Sequence, residues 1–252
     1  MKEKEYIESI HIRKMFNCLD YNIHFPKENV VSILTGPNGC GKTMILNTIN
    51  ELCVNPDFPV KRFNIVLSNG AELNLCKNSR ILDRRLRSAE ITISPIMISS
   101  SNAIITLRSG FYLNALSKFY AKKFPKEKVT DFLNIVNEDT PYKTYLDEDG
   151  FLRFKLLNEN IDILQLSDGY TSRLTMWYII LFYEEAYNRL LLIDTPETFQ
   201  HICVQEKFID NLINVCEKYE MRAIVATHSP NIVNNHADLI LDKNGPKYKK
   251  SK

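Results

Sequence analysis

The chain alternates between two hydrophobic patterns, one with the period of a β-strand and one with the period of an α-helix. Alternating apolar and polar residues predict strands that bury one face, at residues 6–12, 21–25 and 63–67. Continuous apolar runs predict strands buried on both faces, at residues 30–35, 189–194 and 222–226. Together they predict an α/β fold with a mixed central sheet and an antiparallel β layer near the start of the chain.

The helical period dominates the middle of the chain. Apolar residues spaced three or four apart predict helices at residues 41–52, 111–124, 129–136 and 171–187. The two middle helices predict a small helical subdomain, at about residues 103–150, inserted into a single domain that spans residues 1–252. After it, apolar runs predict two short strands, at residues 151–157 and 161–164.

Composition and charge are those of an ordinary globular protein. Of the 252 residues, 44% are hydrophobic and 25% are charged, and the formal net charge is only +2. Nucleic-acid binding is possible with this charge but is not indicated by it. No apolar stretch reaches the roughly 20 residues of a membrane span, and the first residues lack the apolar core of a signal peptide. We therefore expect a cytoplasmic protein without a membrane partner.

Two short segments are more basic than the rest of the chain. Residues 81–87 predict a basic helical stretch, and residues 243–252 form a basic tail rich in helix-breaking residues. We interpret both as solvated surface, with a contact to a phosphate backbone or to another anionic surface as the alternative for each.

A glycine-rich turn follows the predicted strand at residues 30–35 and has the spacing G-x-x-x-x-G-K-[ST] of a phosphate loop. The loop consists of Gly36, Pro37, Asn38, Gly39, Cys40 and Gly41, followed by Lys42 and Thr43. Such a loop cradles phosphates with its backbone N–H groups. Lys42 is then expected to reach the β- and γ-phosphates, and the Thr43 hydroxyl is expected to bind Mg²⁺.

Cys40 differs from the other cysteines because it lies inside this loop. The six cysteines show no C-x-x-C pair, and we interpret most of them as small buried residues. We interpret Cys40 as a tolerated small side chain, the alternative being a thiol whose oxidation would block nucleotide binding.

Two strands are followed by residues suited to triphosphate chemistry. The apolar run at residues 189–194 ends in Asp194, a carboxylate expected to hold Mg²⁺ beside Thr43. The run at residues 222–226 leads into Thr-His-Ser-Pro, where His228 is expected near the γ-phosphate, with a turn histidine as the alternative.

Leu166-Ser167-Asp168-Gly169 opens the long predicted helix. A serine and a glycine at a helix N-terminus offer a hydroxyl and free N–H groups to an anion. The same residues also suit an ordinary helix cap, so the order of the motifs along the chain decides between the two.

That order resembles the ABC-type ATPases, specifically their SMC-like and OLD-like (overcoming lysogenisation defect) branch. The stretch 193–201 is similar to that branch's I-D-E-P-E-x-x-L-H, and Gln205 matches a glutamine that often follows it. The stretch 226–233 is similar to its A-T-H-S-P-x-I-V. The resemblance implies a P-loop NTPase fold of the ABC/SMC-head type, with ATP and Mg²⁺ as cofactors.

The resemblance also implies a mechanism. Two ATP molecules are held between two copies of the chain, and each phosphate loop faces Ser167 and Gly169 of the other copy. ATP binding would thereby promote a homodimer.

Three departures from the family pattern bear on hydrolysis. Thr195 stands where the family has a catalytic glutamate, which leaves Glu197, with Asp194 and His228, as the catalytic candidates. No glutamine occurs between Thr43 and Leu164, so the usual Q-loop ligand is missing, and residues 99–102 are its candidate replacement. Gln200 also replaces the leucine of the pattern. We expect ATP binding with slow ATP hydrolysis.

The family resemblance implies an ATP-dependent regulator of a separate effector protein, such as a nuclease, in bacterial anti-phage defence or the DNA-damage response. Two alternatives remain. One is the nucleotide-binding subunit of an ABC transporter, which the missing Q-loop glutamine weakens. The other is a non-catalytic DNA-associated clamp, which the low net charge weakens.

Overall fold

The structure, a computed structural model, describes residues 6–15, 19–50, 62–68, 70, 72–76, 94–99, 111–182, 189–198, 200–233, 236 and 247–248. These residues form two compact units, each described by itself below. The first unit takes the described residues of Met1–Met97, Glu185–Asp194 and Leu212–Lys252. The second takes those of Ile98–Glu184 and Thr195–Asn211.

The central sheet of the first unit consists of β3 (Val31–Thr35), β6 (Ser94–Ser99), β10 (Arg189–Asp194) and β11 (Arg222–Thr227). Of β6, residues 94–97 belong to this unit. The strand order is β3-β11-β10-β6. Strands β10 and β11 pair in parallel, as do β11 and β3, so their carboxyl ends meet at one edge of the sheet. The three strands predicted from continuous apolar runs are confirmed.

A second, antiparallel sheet of the first unit consists of β1 (Ile7–Met15), β2 (Leu19–His24), β4 (Arg62–Leu67), β5 (Glu72–Cys76) and β12 (Lys247–Tyr248). The strand order is β12-β2-β1-β4-β5. The predicted antiparallel layer is confirmed, whereas β5 was not predicted. Strand β12 lies in the predicted basic tail, and the predicted basic stretch at residues 81–87 lies outside the described residues.

Helix α1 (Lys42–Asn50) follows the glycine-rich loop directly and belongs to the core of the first unit. Its residues Ile45, Leu46 and Ile49 are almost completely buried in one cluster with side chains from both sheets. Burying a side chain of this kind stabilises a fold by about 1.5–3 kcal/mol. The core therefore fixes the helix that carries Lys42 and Thr43. Helix α6 (Pro230–Val233) follows β11.

The helices of the second unit surround an aromatic cluster. They are α2 (Phe111–Ser117), α3 (Lys126–Val136), α4 (Asp168–Phe182) and the beginning of α5 (Ile202–Lys218). The rings of Phe119 and Phe182 lie 5.0 Å apart at their centroids, and Phe124, Phe132 and Tyr178 pack around them. Within the described residues, no helix has both the length and the apolar character needed to cross a membrane.

Two predicted element boundaries in the second unit were wrong. The helix predicted over residues 111–124 ends at Ser117, because Tyr120 pairs as an isolated bridge with Phe151. The strand predicted over residues 161–164 gives way to a 3-10 helix, Ile163–Gln165. The Asp162 carboxylate accepts a hydrogen bond from the Leu164 N–H at 2.9 Å and so starts this helix.

A three-stranded antiparallel sheet completes the second unit. It consists of β7 (Tyr142–Leu146), β8 (Leu152–Leu156) and β9 (Glu159–Ile161), in that order. The range 103–150 predicted as helical therefore also contains a strand, β7. It forms because Thr144 faces Phe154 across the sheet, both buried, and because the Asn137 side chain bonds to both backbone groups of Thr144.

Candidate nucleotide-binding site

The phosphate loop of the first unit depends on its glycines. Gly36, Gly39 and Gly41 have φ angles of 147°, 79° and 92°, a region that other residues rarely adopt. A Cβ atom at Gly36 would lie 3.2 Å from the Cys40 sulfur, so this position is also tightly packed. Cys40 is buried and is a free thiol. Pro37, Asn38 and Gly39 are exposed, as expected for a loop that meets a ligand from solution.

Lys42 folds back over this loop. Its ammonium donates hydrogen bonds to the Gly36 carbonyl at 2.9 Å and to the Pro37 carbonyl at 3.2 Å. It also lies 3.5 Å from the Cys40 sulfur and 3.3 Å from His228 Nδ1. Although Lys42 is only 6% exposed, its ammonium has hydrogen-bond acceptors within the protein. The loop thus holds a buried positive charge where a phosphate would bind.

Thr43 and Asp194 lie side by side at the carboxyl edge of the central sheet. The Thr43 hydroxyl donates a hydrogen bond to Asp194 Oδ1 at 3.2 Å. Asp194 is buried, while Thr43 is exposed. A hydroxyl and one carboxylate are the protein ligands that Mg²⁺ takes when phosphate and water supply the rest. Among the described residues, no group of three or more histidine, cysteine, aspartate or glutamate side chains could hold a metal without a nucleotide.

His228 follows β11 at the same edge and is exposed. Because Nδ1 accepts from the Lys42 ammonium, the proton of the neutral ring belongs on Nε2. The turn that carries it is fixed by two bonds, from Ser229 N–H to the Thr227 hydroxyl at 3.0 Å and from Asn231 N–H to the Ser229 hydroxyl at 3.2 Å. The spacing of the sequence motif gave no sign of the direct contact between His228 and Lys42.

In the second unit, Ser167 precedes α4 and acts as its N-terminal cap. Its hydroxyl accepts a hydrogen bond from Tyr170 N–H at 3.4 Å, and its carbonyl accepts from Thr171 N–H at 2.9 Å. Ser167 itself is exposed, and Gly169 is partly exposed in the first turn of the helix. Both residues are therefore accessible to a ligand or to a second protein.

The segment after Asp194 forms a tight turn, with which the second unit's segment Thr195–Asn211 begins. Thr195 has a φ of 50°, which is unusual for a β-branched residue, and its carbonyl accepts a hydrogen bond from Thr198 N–H at 3.2 Å. Glu197 is partly exposed, and its carbonyl and that of Gln200 accept from the Gln205 side chain at 3.5 and 2.8 Å. The structure thus shows a defined turn at Thr195, a conformation that the sequence did not reveal.

Arg173, which the sequence did not single out, anchors the helix that begins beside Ser167. Its guanidinium donates hydrogen bonds to the carbonyls of Glu138, at 2.6 Å, and of Ile135, at the end of α3. Burial lowers the pKa of Arg173 from its ordinary value. The Glu138 carboxylate in turn accepts from Lys207 at 3.0 Å and from Asn211 at 2.9 Å, both on α5. The corner after α3 therefore joins α4 to α5.

The predicted site residues fall into two groups. Within the first unit, the structure brings together the phosphate loop, Lys42 and His228, and it pairs Thr43 with Asp194. Within the second unit, Ser167 and Gly169 line a cavity that Gln200 also lines. Glu197 also belongs to the second unit. Of the candidate Q-loop replacement, residues 100–102 lie outside the described residues.

A phosphate loop and a carboxylate at the end of a parallel strand of the same sheet are features of a P-loop fold of the ABC/SMC-head type. The chain belongs to the AAA ATPase domain family, whose model matches residues 108–233, half of the chain. The matched residues include Ser167, Asp194 and His228 but not the phosphate loop, so the loop is independent evidence for the same class.

Solved structures support the fold. The SMC head domain from Thermotoga maritima is similar with a TM-score of 0.56 and 13% identity, over 90% of this chain and 91% of that chain. An SMC head bound to the C-winged helix domain of ScpA gives 0.54 and 14%, over 91% of each chain. CbiO1 from Clostridium perfringens, part of the ABC transporter complex CbiONQ, gives 0.50 and 14%, over 97% of this chain and 88% of that chain. No match to a curated protein was found.

Proposed function

We propose that the chain binds Mg·ATP at the phosphate loop and that two copies close around the bound nucleotides. The observation that carries the proposal is the pair of contacts in the first unit: Lys42 held over the loop and Thr43 bonded to Asp194. The loop and Lys42 would bind the phosphates, and Thr43 and Asp194 would bind Mg²⁺. In this proposal Ser167 and Gly169 of the second copy contact the γ-phosphate from the opposite side.

Hydrolysis in this proposal is slow. Thr195 supplies no carboxylate and its backbone is held in a turn, so general-base catalysis falls to Glu197. His228 would orient the γ-phosphate or the attacking water through Nε2, because its Nδ1 accepts from Lys42. Asp194 would act through the metal. ATP binding would then persist long enough to serve as a signal.

The dimer is proposed to regulate a separate effector protein, in bacterial anti-phage defence or the DNA-damage response. The resemblance to the OLD-like branch motivates this role. In support, one similar SMC head was solved with a domain of a different protein, ScpA, bound to it. A nuclease is the effector that the resemblance favours.

Two substitutions test the sandwich separately from nucleotide binding. Lys42→Ala should abolish binding of a fluorescent ATP analogue at the phosphate loop, because it removes the cation that faces the phosphates. Ser167→Arg should retain that binding and lose ATP-dependent dimerisation, measured by sedimentation with a slowly hydrolysed ATP analogue. Ser117→Arg, which changes an exposed serine at the end of α2, is the matched control and should dimerise like the unmodified chain.

The two halves of the proposal fail in different ways. Undiminished nucleotide binding by Lys42→Ala would refute the phosphate-loop site. A monomeric unmodified chain with bound analogue, or a dimer that persists in Ser167→Arg, would refute the sandwich while leaving the nucleotide site standing.

A further inference from the structure

The second unit contains a cavity of about 390 Å³ beside the N-terminus of α4. It lies within the range of roughly 300–1,000 Å³ that small-molecule sites occupy. Residues from three segments line it: the corner after α3, the start of α4, and residues 200–204. We propose that this cavity is a binding site for a mononucleotide-like ligand, that is, a phosphate attached to a flat ring.

The hydroxyl groups on the cavity wall are positioned to donate. The Thr140 hydroxyl already accepts from Tyr142 N–H at 3.2 Å, and the Ser167 hydroxyl already accepts from Tyr170 N–H at 3.4 Å. Each hydroxyl therefore keeps its own proton for an external acceptor. No acceptor for either proton is found among the described residues.

The nitrogen groups on the wall are donors as well. His201 Nδ1 accepts from Cys203 N–H at 3.4 Å, which leaves Nε2–H of the neutral ring to donate. Arg173 Nε and Gln200 Nε2 are buried nitrogen atoms without a hydrogen-bond partner, and both belong to residues that line this cavity. An unsatisfied buried donor is costly, and a small reorientation of either side chain toward an acceptor in the cavity would remove that cost.

The one carboxylate on the wall, that of Asp139, shares the cation of Lys207 with the Glu138 carboxylate. Asp139 forms an ion pair with Lys207 at 2.8 Å. With Arg173 as the buried cation and at least three hydroxyl or N–H donors around it, the cavity suits a ligand rich in acceptor oxygens. A phosphate has more acceptor oxygens than a carboxylate, and so it fits this number of donors better.

The remaining residues of the cavity wall suit the flat ring of a ligand. Tyr142 stacks on Tyr170 with ring centroids 4.6 Å apart, and both line the cavity together with Pro141 and Val204. The Tyr170 hydroxyl is held by Thr144 at 2.6 Å, so this aromatic pair is fixed in place. Stacking on such a platform tolerates any base, because every base has a π-face.

Binding is tested in the Lys42→Ala variant, which removes nucleotide binding at the phosphate loop. Isothermal titration with the four 5′-ribonucleoside monophosphates and with inorganic phosphate should show one site, with mononucleotides binding more tightly than phosphate. Thr140→Val and Gln200→Leu should each weaken mononucleotide binding by about tenfold, the effect of one lost hydrogen bond. Tyr142→Leu should weaken mononucleotides and leave inorganic phosphate unchanged. Thr130→Val, an exposed threonine on α3, is the matched control.

Variants that retain the circular dichroism spectrum of the parent give a clear answer. No binding of any mononucleotide at millimolar concentration would overturn the assignment. Affinities unchanged in Thr140→Val, Gln200→Leu and Tyr142→Leu, or phosphate binding as tightly as the mononucleotides, would overturn it too. Because Ser167 belongs to the cavity and to the proposed dimer interface, a bound mononucleotide should also weaken the ATP-dependent dimer. That last expectation rests on the proposed function, whereas the titration does not.

Discussion

Arg173→Met should destabilise the protein, because the buried Arg173 side chain connects α4 to the corner after α3 by hydrogen bonds. The residue is 4% exposed, and its guanidinium donates to the carbonyls of Glu138 and Ile135. Methionine has a similar length and keeps most of the apolar contact, but it donates no hydrogen bond. The variant thus removes the guanidinium donor from two carbonyls at the end of α3, of which the Ile135 carbonyl keeps a hydrogen bond from the Glu138 N–H at 3.3 Å.

The expected size of the effect comes from two opposing contributions. Each carbonyl loses a hydrogen bond from a charged group, which stabilises a protein by about 1.5–3 kcal/mol. Removing the buried cation recovers part of the energy spent on its desolvation, which is several kcal/mol for an ion in a protein interior. We expect the free energy of unfolding to fall by about 2–4 kcal/mol, or roughly 4–16 °C in melting temperature.

Urea denaturation followed by circular dichroism measures this change. The midpoint should fall while the slope with urea stays the same, because the substitution does not alter the surface exposed on unfolding. Arg153→Met is the matched control, since Arg153 is 53% exposed and its ion pair with Asp147 lies at the surface. A midpoint for Arg173→Met equal to that of the control would refute the reasoning.

Two further predictions concern the turn after Asp194 and the cysteines. Thr195→Glu should raise the rate of ATP hydrolysis, measured as phosphate release, if the missing base limits turnover. Thr195→Asn, which tolerates the positive φ without supplying a base, is its control, and an equal rate in all three proteins would point to Glu197. A maleimide at pH 8 should label the exposed Cys203 in the native protein but not Cys216, because burial raises the pKa of the Cys216 thiol to about 12. Labelling of Cys216 before Cys203, detected by peptide mass spectrometry, would contradict that burial.

The parts of the site that the sequence predicted are those encoded by local patterns. The strand at residues 30–35 and the phosphate loop after it are contiguous in the sequence. The run that ends in Asp194 is apolar throughout, which indicates a strand buried on both faces of a sheet. The carboxyl ends of such strands meet by topology, so the proximity of Thr43 and Asp194 could be expected without coordinates.

The parts that were missed depend on residues distant in the chain. Strand β7 is short and has an exposed Lys143, and it forms because β8 and Asn137 supply its hydrogen bonds. The contact between Lys42 and His228 joins residues 186 positions apart. Arg173 looks like a surface residue of a helix until the carbonyls that accept from it are known.

The intramolecular bonds of Lys42 affect how tightly any triphosphate can be held. The ammonium of Lys42 is not a free positive charge, since the loop's own carbonyls already accept hydrogen bonds from it. A phosphate must displace these internal acceptors, so binding exchanges one set of hydrogen bonds for another. The net gain in binding free energy would therefore be smaller than a count of phosphate contacts suggests.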